Sequence, residues 1–395
     1  MNFENWSKET IGSLIESVSN TYKFDKRDKI VLINTSDILE GYVINNNYQK
    51  YEKIPGQFKK RFEKGDILFS EIRPKNKRFA YIDFDSKNYI ASTKLMVLRS
   101  KNNSRLDPLY LYYYLTSNEI LTILQNIAES RSGTFPQITF TQVSQLKINL
   151  PPILEQKNII KFIKMLDKKI EINNKINFNL EELAQTLYKH WFVDFEFPNE
   201  EGLPYKSSGG KMVDSELGLI PDGWSISIIT DIFDIQYGKY NYTKNKGSSN
   251  RTYPIYGANG IISYNDTYEH EERQIIVGCR GTCGNVSLTD EKSNITSNSL
   301  IFKSKLIPYN YFRLKNFNFS PYITGSTQPQ ITIKNVSGIK FINPTSNLIT
   351  DFSDFSFSIL KKIRTIEIEN KKLEKLRDIL LPKLMSGEIR VPIKE

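Results

Sequence analysis

The chain has 395 residues and a formal net charge of +10 at pH 7, with a pI of about 9.2. This length allows two or three domains that each bury a core, and no apolar run approaches the length needed to cross a bilayer. Because the two cysteines cannot form a disulfide framework and the N-terminus lacks the segments of a signal peptide, we expect a cytoplasmic protein without membrane contact.

The positive charge is concentrated in the first part of the chain. Residues 1–150 contain 22 basic and 16 acidic residues, whereas the segments that follow are closer to neutral. A basic globular domain is typical of a protein that meets a phosphate backbone. The alternative is that an AT-rich genome raises the lysine and asparagine content without any binding role. Composition alone leaves both explanations open.

The first domain is predicted over residues 1–150 and has mixed α+β character. Its short β-rich runs are bounded by polar or glycine turns. A helix from Tyr110 to Ala128 is introduced by Asp107-Pro108. The predicted strands are Ile30–Ile33, Asp66–Phe69, Tyr89–Ala91 and Leu95–Leu98.

A long helix is predicted over residues 151–195, where the chain continues after Pro151-Pro152. Apolar residues and asparagines recur there with a 4-3 spacing, which is a seven-residue repeat. A period of 3.5 residues calls for a coiled-coil partner. The predicted seam contains Ile163, Leu166, Ile170, Asn177, Leu180 and Leu187.

A linker and a second α+β domain follow the helix. Residues 196–222 are rich in proline, glycine and serine, which is typical of a linker. The second domain is predicted over residues 223–343, with a short helix from about Tyr309 to Asn316. Its predicted strands are Tyr253–Tyr256, Ile275–Val277 and Leu300–Phe302.

The second half of the chain repeats the first. Gly133–Thr139 returns as Ser326–Thr332, 193 positions later, and the match continues without a gap to Leu187 and Leu380. Residues 344–395 are therefore predicted to hold a second long helix and a C-terminal tail. We expect the two helices to form an antiparallel coiled coil in a pseudo-two-fold protein, the alternative being that each packs on its own domain. The second seam contains Ile359, Ile363, Asn370, Leu373 and Leu380.

The sequence shows no catalytic or metal-binding constellation. Asn149–Ile153 departs from the Pro-Pro motif of adenine methyltransferases, and Gly278–Gly284 does not match a nucleotide-binding loop. Cys279 and Cys283 could supply half of a zinc site, but two distant histidines do not complete it. We therefore predict no catalytic residue, metal or cofactor in this chain.

Turns that combine cations with small polar residues occur at matching places in both copies. Arginine and lysine can contact guanine edges or phosphates, and glutamine can pair with adenine. The alternative for any one residue is a solvated turn. The candidate DNA-binding residues are Arg73, Lys75, Lys77, Arg78, Arg131 and Thr134 in the first copy, and Lys239, Tyr240, Lys244, Lys246, Arg280, Thr282, Ser326, Thr327 and Gln328 in the second.

The order of variable domain, helix, variable domain and helix resembles the specificity subunit of type I restriction-modification systems. Local strings carry the same resemblance. The first helix opens with Leu150–Lys157 and closes with Leu183–Phe195. The second domain begins with Leu219–Trp224, and the second helix ends with Leu380–Ile389.

The resemblance implies a non-catalytic subunit that reads a bipartite site in double-stranded DNA, with the helices setting the spacing. It implies docking of two modification subunits that carry S-adenosylmethionine, and recruitment of restriction subunits that use ATP and Mg²⁺. One departure is that Leu154–Lys157 becomes Asn347–Thr350 in the second copy, so the two helix starts are expected to bind partners unequally. The alternatives are the recognition part of a methyltransferase-nuclease enzyme and a coiled-coil adaptor that does not bind DNA.

Overall fold

The computed structural model describes residues 6–23, 25, 28–130, 136–241 and 252–391. The α-helices in this part of the chain are α1 (Ile11–Leu14), α2 (Pro108–Thr116), α3 (Asn118–Glu129), α4 (Phe140–Ser144), α5 (Ile153–Phe192), α6 (Ile229–Ile232), α7 (Ile307–Lys315), α8 (Ile333–Val336) and α9 (Ser346–Ser386).

The strands of the first copy of the repeat are β1 (Ser7–Thr10), β2 (Ile15–Ser17), β3 (Lys29–Ile33), β4 (Ile38–Leu39), β5 (Tyr42–Val43), β6 (Gln49–Lys50), β7 (Phe58–Lys60), β8 (Ile67–Ser70), β9 (Phe79–Tyr81), β10 (Tyr89–Ser92), β11 (Leu95–Ser100) and β12 (Lys147–Leu150). Those of the second half are β13 (Met212–Val213), β14 (Ile220–Pro221), β15 (Ser225–Ile228), β16 (Asp234–Tyr237), β17 (Tyr253–Gly257), β18 (Gly260–Asn265), β19 (Ile275–Gly278), β20 (Val286–Leu288), β21 (Asn294–Ile295), β22 (Ser299–Lys303) and β23 (Lys340–Asn343).

The chain divides into two compact units. Unit 1 comprises residues 1–172 and 369–395, and unit 2 comprises residues 173–368. Both long helices cross this division, so each unit contains about half of α5 and half of α9. Each unit therefore depends on segments that are far apart in the sequence.

Two sheets form the centre of unit 1. One is antiparallel in the order β2-β11-β8-β9, and the other has the order β6-β3-β10-β7 with β3 and β10 parallel. Because successive side chains of a strand point to opposite faces, Ile67 and Phe69 enter the core beneath the helices, and Leu68 enters the core with Val31 and Ile33 of the other sheet. Burial on both faces explains why the runs that form β8 and β11 are mostly apolar.

Unit 2 repeats this architecture. Its first sheet has the equivalent order β16-β22-β19-β20, and its second has the order β18-β17-β21 with β17 and β21 parallel. Ile275 and Val277 face the helical core while Ile276 faces the second sheet, as the repeat predicts. The predicted α+β fold with an internal repeat is confirmed, and the predicted strands are present with ends that differ by one or two residues.

One predicted helix was wrong in its extent. The segment from Tyr110 to Ala128 forms two helices, because Ser117 adopts an extended conformation between α2 and α3. Its hydroxyl accepts a hydrogen bond from the Ile120 amide at 3.4 Å, which caps the start of α3.

The two long helices pair in opposite directions within each unit. In unit 1, Asp167 of α5 contacts Arg377 of α9 at 2.9 Å, while Lys169, further along α5, contacts Glu369, further back on α9, at 3.5 Å. In unit 2, the ring of Tyr188 near the end of α5 lies 5.6 Å from the ring of Phe352 near the start of α9. The predicted antiparallel coiled coil is thereby confirmed, and all of its predicted seam residues are buried or half-buried. Asn177 has a buried Oδ1 with no hydrogen-bond partner, so its place in the seam costs stability.

The linker predicted at residues 196–222 is folded in unit 2. Strands β13 and β14 pair within it. Phe197 stacks on Tyr205 with ring centroids 4.5 Å apart and on Trp224 at 5.1 Å. The aromatic residues therefore attach this proline- and glycine-rich segment to the start of the second domain. Among the described helices, none is both long and apolar enough to traverse a bilayer.

Candidate nucleic-acid interface

The candidate residues of the second domain meet at one end of its first sheet. The register of the antiparallel strands places the last residues of β16 and β19 beside the first residues of β22. We call this the loop end of unit 2 and define it by residues 238–241, 278–285, 296–298 and 324–330. Turns at the end of a rigid sheet are well placed to present side chains to a ligand.

Arg280 lies in the turn after β19. Its guanidinium donates to the Ser297 carbonyl at 3.4 Å and lies 5.9 Å from the ring of Tyr237. Its backbone forms an antiparallel bridge with Gln330, which closes the loop that contains Ser326, Thr327 and Gln328. Thr282 is exposed in the same turn, and the three loop residues are also exposed. The structure therefore brings these five predicted residues together.

Lys239 and Tyr240 join the loop end from another side. The Tyr240 amide donates to the Ile295 carbonyl at 3.0 Å, and a Cβ on Gly238 would lie 2.4 Å from the Thr296 carbonyl oxygen, so glycine is required for this close approach. Tyr240 is itself buried, at 5% exposure, and its ring supports the segment more than it faces solvent. Lys239 lines an open depression of about 320 Å³ beside Thr296 and Asn298.

Ser297 and Asn298 are exposed between these candidates, and the sequence interpretation missed them. The backbone amides of Cys279 and Arg280 donate to the Asn298 carbonyl at 2.8 and 3.3 Å, which fixes its backbone. The signal available in the sequence was that the residue at this place differs between the copies, since the turn hydrogen bonds put Lys94 of the first copy in the position of Asn298.

The first domain has the equivalent loop end. The Ile72–Gln137 bridge corresponds to the Arg280–Gln330 bridge, and the Glu71 amide donates to the Lys94 carbonyl at 3.0 Å. Lys60 donates to the Thr93 and Leu95 carbonyls at 3.1 and 2.7 Å. Burial lowers the pKa of Lys60, although Glu71 opposes the shift. Lys60 therefore supports the turn, whereas Lys94 is exposed.

The predicted basic turn of the first domain divides into two kinds of residue. Lys77 forms an ion pair with Glu40 at 3.2 Å, and Arg78 donates to the Ser36 and Ile38 carbonyls at 3.2 and 3.1 Å. These two side chains hold the neighbouring hairpin. The side chains of Arg73 and Lys75 are exposed and remain available as cations for a phosphate.

Four predicted candidates lie outside the described residues. They are Arg131, Thr134, Lys244 and Lys246. Their assignment stays a prediction from the sequence.

The cysteines of the loop end pack in the turn. Burial raises the pKa of Cys279 to about 11, so its thiol stays protonated, and Cys283 donates to the Pro329 carbonyl at 3.2 Å. Across the described ranges, no three His, Cys, Asp or Glu side chains come together as a metal site.

The chain is similar to known proteins over most of its length. The family model of the type I restriction modification DNA specificity domain matches residues 3–182 and 221–378. A relative is the type I restriction enzyme HindI specificity subunit of Haemophilus influenzae, with 31% identity over 97% of this chain and 99% of the relative. The MjaIX specificity subunit of Methanocaldococcus jannaschii is 26% identical over 71% of this chain and 69% of its own. The solved structure of a type I restriction-modification S subunit from M. genitalium has the same fold, with a TM-score of 0.51, 18% identity and coverage of 98% and 97% of the two chains.

Proposed function

Because this chain belongs to the type I restriction-modification DNA specificity family, we propose that its two recognition domains read the two halves of one bipartite DNA site. As a specificity subunit, it is the non-catalytic member that recognises DNA. What the family leaves open is which domain surface reads bases, how the helices are used and how many partners they hold.

The observation that carries the proposal is the repeated loop end. In both domains one backbone bridge and one backbone hydrogen bond close the same turns, yet the exposed side chains differ, with Lys94 in one and Asn298 in the other. A backbone arrangement that the two copies share, with different exposed side chains, suits two domains that read different bases. We assign Arg73, Lys75 and Lys94 to the first half-site, and Lys239, Arg280 and residues 326–328 to the second.

The long helices serve as the spacer between half-sites in this proposal. Helices of 40 and 41 residues are each about 60 Å long at 1.5 Å per residue, which exceeds one DNA turn of about 34 Å. Two modification subunits dock on these helices and bring S-adenosylmethionine, and restriction subunits supply ATP and Mg²⁺ chemistry. The complex works in the cytoplasm.

The two docking faces differ in charge, which supports unequal binding of the two modification subunits. The outer face of α5 carries Lys157, Lys161, Lys164 and Lys168 around an open cavity of about 520 Å³. At the equivalent positions α9 carries Thr350, Asp354, Phe357 and Lys361, all exposed. We propose that the α5 face binds its modification subunit through salt-sensitive contacts, and that the α9 face relies more on apolar burial.

Methylome mapping of cells that express this chain with its modification subunit tests the division of labour. Residues 223–343 would be replaced by the second recognition domain of a relative with a different target. The expected result is a changed second half-site with the first half-site and the spacer unchanged. Changes in both half-sites would contradict the assignment of one domain to one half.

Native mass spectrometry of the assembled methyltransferase over a salt series tests the docking proposal. As the salt concentration rises, we expect the modification subunit on the α5 face to be lost before the other. The double variant Lys161→Ala with Lys164→Ala should abolish this early, salt-dependent loss, because it removes the charged contacts that salt screens. A Lys361→Ala variant on the α9 face serves as the control. Simultaneous loss of both subunits at every salt concentration would argue against unequal faces.

A further inference from the structure

Asn298 combines a fixed backbone with an available side chain. Its carbonyl is held by the amides of Cys279 and Arg280. Its side chain is exposed and makes no hydrogen bond within the described part of the chain. A preorganised residue of this kind loses little freedom when its amide meets a ligand.

The depression beside Asn298 contains an unsatisfied polar group. Thr296 is only 6% exposed, lines the depression and has an Oγ1 without a hydrogen-bond partner. Native proteins rarely leave a buried hydroxyl unpaired, so a group of this kind needs an explanation. A polar group that enters the depression would supply this missing partner.

The chemistry of the lining favours a base over a phosphate. Lys239 is the cation on the wall, and Thr296 and Asn298 can both donate and accept, while Ile262 adds an apolar wall. Phosphate oxygens only accept hydrogen bonds, whereas a base edge offers donors, acceptors and an apolar surface. Side chains of mixed donor and acceptor character therefore match a base edge.

We infer that Asn298 reads an adenine in the second half-site, with its amide paired to adenine N6 and N7 and the Thr296 hydroxyl facing the same base step. This inference rests on the proposed function, because it needs the second domain to be bound at its half-site. The first domain carries Lys94 at this position, and lysine pairs with guanine O6 and N7. The equivalent backbone positions of the two domains thus carry different side chains, Lys94 and Asn298, that suit different bases.

A base analogue tests the contact directly. The methyltransferase would be assembled with the wild-type chain or with Asn298→Ala, and bound to duplexes that carry 7-deazaadenine at one adenine of the mapped second half-site at a time. This analogue lacks the N7 acceptor. At one position the wild-type complex should lose roughly tenfold to hundredfold in affinity, while the Asn298→Ala complex, already weakened on the natural duplex, should lose nothing more. Asn103→Ala, an exposed asparagine of unit 1, should behave as wild type.

Two results would overturn the inference while leaving DNA recognition intact. One is an equal loss for wild type and Asn298→Ala at every 7-deazaadenine position. The other is a uniform weakening of Asn298→Ala on all duplexes, which identifies a phosphate contact. If the wild-type complex showed no preference for any sequence, the proposed function itself would fail, and the inference with it.

Two further variants keep the inference testable if Asn298→Ala folds poorly. Asn298→Lys should shift the preference at that single position from adenine towards guanine, and an unchanged preference would contradict the inference. Thr296→Val removes the unpaired hydroxyl at nearly constant shape, so the free chain should unfold at a higher temperature while the complex binds its site more weakly. Greater stability with unchanged affinity would show that the hydroxyl meets no DNA group.

Discussion

At one equivalent place in the repeat, the two units hold distant segments of the chain together by different interactions. In unit 1 the indole of Trp6 donates to Glu155 at 3.0 Å, and the Arg390 guanidinium binds Glu155 at 2.5 and 2.8 Å while lying 4.8 Å from the Trp6 ring. The Glu155 side chain is only 3% exposed. Unit 1 is therefore closed by a buried ion pair under an aromatic ring.

The equivalent positions of unit 2 are Trp224, Leu348 and Phe197. Trp224 stacks on Phe197 at an interplanar angle of 23° and meets Phe195 edge-on at 5.5 Å. No charge takes part at these three positions. The comparison shows that the repeat preserves where segments meet but not the force that joins them, which is electrostatic in one unit and apolar in the other.

The largest effect is expected where the aromatic closure is removed. Trp224→Ala should lower the free energy of unfolding of unit 2 by about 4 kcal/mol, because a nearly buried indole leaves a cavity. Urea unfolding followed by circular dichroism would measure it. Trp224→Phe keeps an aromatic ring and should lose much less. A loss below about 1 kcal/mol for Trp224→Ala would show that the stack is not what closes unit 2.

Breaking the Glu155–Arg390 ion pair should lower the free energy of unfolding of unit 1 nearly as much. Arg390→Ala leaves Glu155 buried without its counter-charge, so unit 1 should lose about 3 kcal/mol. The matched control is Lys383→Ala, which removes an exposed pair with Glu388 and should change stability by less than about 1 kcal/mol. Equal effects of the two variants in the same urea series would rule out a special role for Arg390.

Replacing the ion pair of unit 1 with the apolar residues of unit 2 sharpens the comparison. The double variant Glu155→Leu with Arg390→Phe places the residues of unit 2 in unit 1, and we expect its stability to lie within about 2 kcal/mol of wild type. Each single variant should be less stable than the double variant. Additive losses from the two changes would mean that the surroundings of Trp6 cannot accept an apolar closure.

The smallest effect concerns a contact of unit 2 that titrates. Burial would raise the pKa of Glu181, but hydrogen bonds from Tyr311 and Lys315, at 2.6 and 3.0 Å, hold the pKa below its usual value. A depressed pKa stabilises the folded protein above the unfolded value, and this contribution is lost as pH falls through the folded value. Because the carboxylate is about one-third exposed, Glu181→Gln should cost less than about 1 kcal/mol near neutrality.

Unfolding of wild type and Glu181→Gln between about pH 7 and pH 3 would check that sign. The difference between them should shrink as the solution becomes more acidic. The exposed neighbour Glu182, changed to Gln, is the matched control variant. A difference that grows on acidification would contradict the assigned pKa direction.

Features with a local or periodic cause were predictable from the sequence. The seam follows from the heptad spacing, and strands such as β8 and β19 follow from short apolar runs between turns. The break at Ser117 was missed, because a capping serine inside an otherwise apolar pattern can also be tolerated in a helix. Periodicity fixes elements, but a single hydroxyl decides where one helix becomes two.

The candidate site was predictable only in part. Arg280 and residues 326–328 were predicted because cations and small polar residues stand out in turns, and the structure places them together at the loop end. Asn298 was not predicted, because its place at the loop end comes from contacts with a strand-end turn distant in sequence. The same holds for the Trp6–Arg390 contact, which joins the first and last described parts of the chain. Non-local pairings of this kind leave no pattern in a single sequence.

Because both long helices are divided between the units, the two units are completed in a fixed order during translation. A ribosome releases residues 173–368 before residues 369–391, so the nascent chain has all of unit 2 while unit 1 still lacks its share of α9. Until then, the partners of Leu381, Leu384 and Met385 in the unit 1 core stay uncovered. The domain translated first is thus the last to be completed, and a chain halted near its end would expose apolar surface in its N-terminal domain to aggregation.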